Sequence, residues 1–124
     1  MIHVYNLNTE DFSKYKNNYN IGRPNILSNP YTYLDLEKTK ATFQCKTREE
    51  AIDLYSNYFD VMYSGNIEFQ KVIDEIYEKY KNGEEIYLGC WCSPKPCHGD
   101  IIKKKLEERL IRERFKGCKI KRQS

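Results

Sequence analysis

Residues 84–100, EEIYLGCWCSPKPCHGD, join a short apolar run to three cysteines and a histidine. The apolar run is typical of a strand, and Gly89 permits a close backbone approach near its end. The residues after the cluster carry apolar side chains at helical spacing, namely Ile101, Ile102, Leu106, Leu110 and Phe115. This periodicity predicts an amphipathic helix. Cys90, Cys92 and Cys97 are therefore expected where a strand leads into a loop and then a helix.

Two further helices are predicted before this segment. Thr47 and Glu50 have the spacing of a capping box ahead of an apolar stripe, which predicts a helix over about 48–63. A second set of apolar residues at helical spacing predicts a helix over roughly 67–81. Gly83 supplies a left-handed stop for that helix.

The first part of the chain has a different pattern. Residues 2–8, IHVYNLN, are rich in Ile, Val, Tyr and Leu, which predicts a short buried strand. Residues 20–35, NIGRPNILSNPYTYLD, are interrupted by Gly22, Pro24 and Pro30. This stretch is interpreted as a long, ordered loop.

The order of these segments indicates an α/β protein. We expect a small single-domain, three-layer fold in which a short, mainly parallel sheet is flanked by helices. The domain is expected to span residues 1–124, with residues 117–124 as a basic tail or an edge strand.

The composition narrows the class of protein. Of the 124 residues 40% are apolar and 31% are charged, as in soluble globular proteins. No apolar run approaches the roughly 18 residues needed to cross a bilayer, and the first residues lack the order of a signal peptide. We therefore expect a cytoplasmic protein without a membrane partner, in which clustered cysteines favour metal binding or catalysis over disulfides. The net charge of +3 is small, so nucleic acid is not the expected partner.

The cysteine cluster admits a metal interpretation. Cys90, Cys92, Cys97 and His98 all have side chains that zinc accepts. Structural zinc sites usually take their ligands from two separate knuckles, however, and the adjacent Cys97 and His98 cannot easily point at one ion. A zinc site is therefore the alternative, and no metal or other cofactor is expected under the leading interpretation.

The leading interpretation is an anion site. Cys97, His98 and Gly99 are expected around the first turn of the last helix, where unpaired N–H groups and the helix dipole favour an anion. The same field lowers the pKa of a cysteine, and an imidazole can carry a proton or donate a hydrogen bond to phosphate. Gly99 would let a ligand approach the backbone, and Asp100 would cap the helix or hold His98 in one tautomer. Cys97, His98 and Cys92 are the candidate catalytic residues.

The other cysteines and the second histidine are given structural roles. Cys90 is expected to be a small buried hydrophobic residue. Cys45 and Cys118 are isolated in the sequence, and His3 begins the first strand, where a packing role is expected.

Two motifs resemble a family found in phages and bacteria, the domain of unknown function 4326. Its members carry a Gly-Arg-Pro loop followed by Gly-Asn-Pro, then helices, then a strand leading into Cys-x-Cys-x-Pro-x-x-Cys-His-Gly-Asp. Here the motifs are IGRPNILSNP at 21–30 and GCWCSPKPCHGD at 89–100, and the resemblance spans about residues 3–111. Ser28 stands where the family usually has Gly, which would cost stability if that turn needs a positive φ. The resemblance brings no established reaction.

The two motifs together imply a pocket. Arg23 is a planar cation suited to phosphate or carboxylate, and Asn29 offers an amide that can read a base or ribose edge. If the first strand is parallel to the strand that ends near Leu88, both loops open on one crevice. The expected pocket residues are Gly22, Arg23, Asn29, Cys92, Cys97, His98, Gly99 and Asp100, with Tyr31 or Trp91 for stacking.

Both loop residues also have structural alternatives. Arg23 could tie the long loop down through hydrogen bonds to carbonyl groups. Asn29 before Pro30 is a common turn former.

These features predict a small cytosolic domain that binds a nucleotide-like or phosphorylated small molecule at the strand-end Cys-His loop. Hydrolysis or group transfer through Cys97 or Cys92 and His98 is a further expectation. The alternative function is a structural zinc-binding adaptor that contacts nucleic acid or a host protein. If the protein is phage-encoded, it would act in the host cytoplasm. The sequence leaves the oligomeric state open.

Overall fold

A computed structural model of the chain describes residues 1–9, 15–32, 43–91 and 95–116. In chain order, its elements are β1 (Ile2–Asn6), β2 (Asn18–Asn20), β3 (Tyr31–Thr32), β4 (Phe43–Gln44), α1 (Arg48–Gly65), α2 (Ile67–Lys81), β5 (Ile86–Cys90) and α3 (His98–Lys116). The predicted α/β class with a short, mainly parallel sheet is confirmed.

β5 is the middle strand of a three-stranded sheet with the order β1, β5, β2. Both neighbours are parallel to it: Ile2 is opposite Ile86 on one side, and Asn18 is opposite Tyr87 on the other. The parallel pairing of the first strand with β5, which a shared crevice required, is therefore confirmed. Because the three strands run in one direction, their carboxyl ends lie at the same edge of the sheet.

The long loop predicted between the first strand and the first helix is wrong in part, because this segment contains three short strands. β2 joins the sheet beside β5. β3 and β4 form a second, two-stranded parallel sheet, in which Phe43 N–H donates to the Pro30 carbonyl at 2.8 Å. The loop that carries Arg23 consequently follows β2 and not β1. The terminal edge strand predicted over 117–124 lies outside the described residues.

The helix boundaries follow from side-chain caps. Thr47 Oγ1 accepts from Glu50 N–H at 3.1 Å, so Thr47 caps the start of α1 at the position that was predicted. Asn66 separates the first two helices, and its Oδ1 accepts from Phe69 N–H at 3.0 Å. Gly83, with φ of +88°, follows α2 and stops it as predicted. None of the helices in the described ranges is long and apolar enough to cross a membrane.

The main core lies on one face of the sheet. Ile86, Leu88 and Cys90 alternate along β5 with Tyr87 and Gly89, and the first three are buried in one cluster. The helices contribute buried side chains to the same cluster: Tyr55, Phe59, Phe69, Ile73, Ile76, Tyr77, Ile102 and Leu106. The apolar stripes of all three helices are thus covered by this face of the sheet and by one another.

Aromatic rings lie on the opposite face. Tyr15 stacks on Tyr87 with ring centroids 4.0 Å apart, and His3 stacks on the same ring at 4.7 Å. A Cβ on Gly89 would lie 2.6 Å from Leu7 Cδ2, so glycine is required for close packing on this side. His3 therefore packs as predicted.

Candidate functional site

A pocket of about 220 Å³ lies at the carboxyl edge of the parallel sheet. Its wall includes seven residues predicted from the sequence: Gly22, Arg23, Asn29, Tyr31, Trp91, Cys97 and His98. The remaining lining residues are Thr32, Arg48, Ala51, Ile52, Cys90 and Pro96. Cys92 lies outside the described residues, so its catalytic role stays a prediction.

Cys97 caps the helix that follows it. Gly99 N–H donates to Cys97 Sγ at 3.3 Å, and Cys97 N–H donates to Asp100 Oδ2 at 3.0 Å. This reciprocal pair is a capping box in which sulfur takes the place of a hydroxyl oxygen. Asp100 therefore has the capping role, one of the two roles expected for it, and holds the start of α3 in place.

A second thiol touches the first. Cys90 Sγ lies 3.1 Å from Cys97 Sγ, and both side chains are buried and form no disulfide. Cys90 is fixed as the last residue of β5, where its carbonyl accepts from Leu7 N–H at 2.8 Å. Cys90 is buried as predicted, but it is also one of the residues that line the pocket.

This contact controls the acidity of Cys97. The hydrogen bond with Cys90 and the burial of the sulfur raise the pKa of the Cys97 thiol well above its ordinary value, while the hydrogen bond from Gly99 N–H opposes them more weakly. The direction is opposite to the lowering expected from the helix N-terminus. The helix dipole stabilises a thiolate at this position, but the loss of solvation beside a second thiol destabilises it more, so the pKa of Cys97 rises. At neutral pH Cys97 is therefore protonated.

His98 is held by one hydrogen bond. Its Nε2 atom lies 2.8 Å from the carbonyl oxygen of Ile21, and because a carbonyl only accepts, Nε2 carries the proton. Burial lowers the pKa of His98 to about 4, the hydrogen bond to Ile21 opposes this shift, and the positive charge of Arg23 adds to it. At pH 7 the ring is neutral, which leaves Nδ1 as an unprotonated acceptor.

Arg23 ties its loop together. Its Nε atom donates to the Asn29 carbonyl at 2.7 Å, and Nη2 donates to the Tyr31 carbonyl at 2.9 Å. These are the contacts of the structural alternative. Arg23 is nevertheless one of the residues that line the pocket, so it also brings a positive charge to this site.

Both polar atoms of the Asn29 side-chain amide form hydrogen bonds within the protein. Its Nδ2 donates to the Ala51 carbonyl at 3.1 Å, and its Oδ1 accepts from Tyr31 N–H at 3.0 Å. Asn29 thus joins the loop to α1. The preceding Ser28 needs no unusual backbone, since no non-glycine residue in the described ranges has a positive φ.

Two glycines provide space for packing. A Cβ on Gly99 would lie 2.9 Å from Val4 Cγ1 and 3.0 Å from Ile21 Cδ1, so the missing side chain lets α3 lie against the sheet. This packing role was not considered from the sequence. A Cβ on Gly22 would lie 2.5 Å from Trp91 Nε1, so Gly22 makes room for the indole.

Trp91 lies directly after β5 and lines the pocket with 53% of its surface exposed. Phe43 and Phe115 are exposed to a similar extent, and Trp91 differs from them in lining the pocket. Its position beside Gly22 holds one edge of the indole, and the exposed remainder is accessible to a ligand ring.

Arg48 is a pocket residue that sequence reasoning missed. It is the first residue of α1 and lines the pocket, whereas only the start of a helix was expected there. The sequence did contain an indication of this role, because the helix dipole disfavours a cation in the first turn of a helix. An arginine directly after the capping residue Thr47 therefore calls for another reason, and a pocket wall supplies one.

The structure brings together only some of the residues that the zinc interpretation requires. Among the described residues, no group of three His, Cys, Asp or Glu side chains is arranged to hold a metal ion. Cys90 and Cys97 bring two sulfurs together, but His98 directs Nε2 at the Ile21 carbonyl, and Cys92 lies outside the described ranges. Zinc binding thus stays a prediction.

The fold and the pocket define a small α/β protein with a polar and aromatic cleft at the carboxyl edge of a parallel sheet. The family model described as Domain of unknown function (DUF4326) matches residues 5–108, and the chain belongs to this family. The resemblance carried by the two motifs is therefore confirmed. Comparisons with curated proteins and with solved structures give no match.

Proposed function

We propose that this protein binds a nucleotide-like or phosphorylated small molecule in the pocket at the carboxyl edge of its sheet. The observation that carries the proposal is the composition of the wall, in which Arg23 and Arg48 share one pocket with Trp91 and His98. Two cations suit an anionic group, and an exposed indole suits a planar ring. A nucleotide combines both parts.

The anion would be bound by the arginine side of the pocket. Arg48 lies at the start of α1, where the N–H groups of the first turn add a partial positive charge. Arg23 is fixed by its two carbonyl contacts, so its charge stays at the wall without a further loss of side-chain entropy on binding. Both features favour a preorganised anion site.

The ring would be bound by Trp91. Stacking of a base on an aromatic side chain contributes about 1–3 kcal/mol and tolerates different bases. Tyr31 lines the same pocket, but its ring already stacks on Phe43 at 5.3 Å. Trp91 is therefore the better stacking residue of the two that the sequence suggested.

The size of the pocket limits the ligand. At about 220 Å³ it is smaller than the roughly 300–1,000 Å³ of pockets that enclose drug-sized molecules. A mononucleotide or a sugar phosphate would fit with part of the molecule in solvent. A dinucleotide would extend well beyond the wall.

Binding without turnover is the favoured form of this function. Hydrolysis or group transfer through Cys97 would need a thiolate, and the pKa of this thiol is raised. The neutral His98 offers Nδ1 as an acceptor for a ligand hydroxyl or N–H group. Because the ring carries no positive charge at pH 7, it does not attract a phosphate group as a cation would. We expect the protein to act in the cytoplasm, which is that of the host if the gene is carried by a phage.

A zinc-binding adaptor is the second candidate, favoured by the contact between the sulfurs of Cys90 and Cys97. It predicts stoichiometric zinc in the purified protein and unfolding by chelators. Nucleotide binding predicts neither result.

Native mass spectrometry with elemental analysis tests both candidates on one sample. The protein is mixed in turn with mononucleotides, ribose 5-phosphate and inorganic phosphate, and the adducts are titrated. We expect a one-to-one adduct with a mononucleotide, and at least about tenfold weaker binding for Arg48→Gln, as the loss of one charge-assisted contact requires. Arg112→Gln, an exposed arginine of α3 away from this pocket, is the matched control.

Two results would contradict the proposal. Equal affinities for Arg48→Gln, Arg112→Gln and the unchanged protein would show that the ligand binds elsewhere. One zinc per chain with no adduct from any of the three probes would favour the adaptor.

A further inference from the structure

Two thiols meet in the pocket wall. The Sγ atoms of Cys90 and Cys97 are 3.1 Å apart, and the two residues are only 2% and 4% exposed. We propose that Cys90 and Cys97 are a redox-active dithiol, which a small disulfide oxidant converts into an intramolecular disulfide. This modification site goes beyond the proposed function and does not depend on it.

The first argument is that both sulfurs are held in position by regular structure. Cys90 ends the central strand β5 and is opposite Asn6 of β1 in the parallel register. Cys97 is held at the start of α3 by hydrogen bonds with Gly99 and Asp100. A disulfide requires a sulfur separation of about 2 Å, so the two sulfurs, which are already in contact, have about 1 Å left to approach.

The second argument is that a reagent can reach the pair. Cys90 and Cys97 both line the pocket, and Trp91 in the same wall is 53% exposed. A buried thiol in the core without such an opening would be inert. The pocket therefore supplies the path that the low exposure of the two side chains would otherwise exclude.

The third argument is selectivity within the chain. Cys45 is less buried than the pair, but its Sγ donates to the carbonyl oxygens of Thr32 and Thr47, at 3.2 and 3.4 Å. These hydrogen bonds direct the Cys45 sulfur at oxygen atoms and not at a second sulfur. Cys45 is therefore expected to form at most a mixed disulfide with the reagent, and it serves as an internal control.

The reaction balances with glutathione disulfide as the oxidant. The Cys90 thiolate attacks one sulfur of the oxidant, which releases one glutathione thiolate and leaves a mixed disulfide on Cys90. The neighbouring cysteine then attacks the protein sulfur of that mixed disulfide and releases the second glutathione. In total the pair loses two electrons and two protons, and one glutathione disulfide becomes two glutathione thiols.

Oxidation would change the pocket. Two S–H groups that can donate weak hydrogen bonds would be replaced by a disulfide that has no donor. The bond would also link the end of β5 to the start of α3 across residues 91–96. The redox state would thus alter one wall of the pocket that contains Arg23 and His98.

The experiment treats the folded, fully reduced chain with glutathione disulfide at mildly alkaline pH, then blocks remaining thiols with N-ethylmaleimide. Intact mass gives the number of blocked thiols, and peptide mapping without reduction identifies the paired cysteines. The same treatment is applied to Cys45→Ser, Cys92→Ser and Cys97→Ser. Circular dichroism before treatment checks that each variant is folded.

We expect one disulfide, between Cys90 and Cys97, in the unchanged protein and in Cys45→Ser and Cys92→Ser, and its reversal by dithiothreitol. In Cys97→Ser, a mixed disulfide of glutathione on Cys90 should persist, because the thiol that resolves it is missing. Pairing of either residue with Cys92 or Cys118 would overturn the proposal. Four or five blocked thiols after treatment of the unchanged, folded protein would also overturn it.

Discussion

The Nε2 atom of His98 lies 2.8 Å from the carbonyl oxygen of Ile21, so the ring links the start of α3 to the residue directly after β2. The pKa of His98 is lowered to about 4, mainly by burial. A folded-state pKa below the unfolded value means that the unfolded chain binds the proton more readily. Stability from this group is therefore present above about pH 6.5 and lost as the pH falls toward 4.

The first prediction follows from this linkage. Between pH 7.5 and pH 5 the titration of His98 should lower the free energy of unfolding by about 2 kcal/mol, as measured by urea denaturation. His98→Gln keeps an N–H that can reach the Ile21 carbonyl but does not titrate. The variant should lose less stability than the unchanged protein over the same interval. Equal losses in the two proteins would mean that other groups cause the pH dependence.

The second prediction concerns the contact between α3 and the sheet. Gly99→Ala should lower the free energy of unfolding by about 1–3 kcal/mol, because the new Cβ would lie 2.9 Å from Val4 Cγ1. Gly65→Ala is the matched control, since a Cβ at the last residue of α1 meets nothing within 4 Å. It should raise the stability by up to about 1 kcal/mol. The reverse order of the two variants in thermal unfolding would contradict this packing role.

The third prediction concerns the capping box of α3. Asp100→Ala should cost about 1 kcal/mol, because it removes the acceptor of Cys97 N–H and a negative charge near the helix N-terminus. Asp100→Asn keeps an oxygen acceptor and should cost less. Glu108→Ala removes an exposed carboxylate further along the same helix and should change stability by less than about 0.5 kcal/mol. A cost for Glu108→Ala equal to that for Asp100→Ala would point to general charge effects.

The fourth prediction separates the two roles of Arg23. Arg23→Lys keeps the charge but loses the planar pair of donors that reach the Asn29 and Tyr31 carbonyls, so stability should fall by about 1–2 kcal/mol. Limited proteolysis should also cut the chain between residues 22 and 31 faster than in the unchanged protein. Arg112→Lys should leave both measurements unchanged. Normal stability with weakened ligand binding would show that Arg23 acts on the ligand alone.

The elements that sequence reasoning predicted well have strong local signals. α2 covers the predicted residues 67–81, because an apolar stripe and the left-handed Gly83 define both its packing face and its end. The capping box at Thr47 likewise fixed the start of α1. These features act within a few residues of one another, so they can be read without the tertiary structure.

The short strands could not be predicted in this way. β2 has three residues, and β3 and β4 have two each, which is too short for an alternating pattern. Their pairing depends on a partner brought near by the rest of the fold. β2, for example, is a strand because β5 lies beside it, although the two are far apart in the chain.

The members of the pocket were predicted in part: seven predicted residues line it, but Arg48 was missed, and Gly99 and Asp100 are not among the lining residues. Both motifs line one pocket, because the strands before them are parallel and end at the same edge. The acidity of Cys97 was predicted in the wrong direction, since the spacing of Cys90 and Cys97 does not reveal that their sulfurs touch. The roles of neighbouring side chains depend on distances of a few ångströms, which a linear motif does not contain.

The pairing of Ile2 with Ile86 has a consequence for synthesis of the protein. The central strand of the sheet leaves the ribosome after both of its neighbours, so neither β1 nor β2 can pair with β5 until residue 90 has emerged. At roughly 5–20 residues per second, β2 must wait several seconds for its partner. The apolar side chains of Ile2 and Val4 are exposed to chaperones and to other nascent chains during that interval. The three-stranded sheet can therefore form only after β5 has left the ribosome.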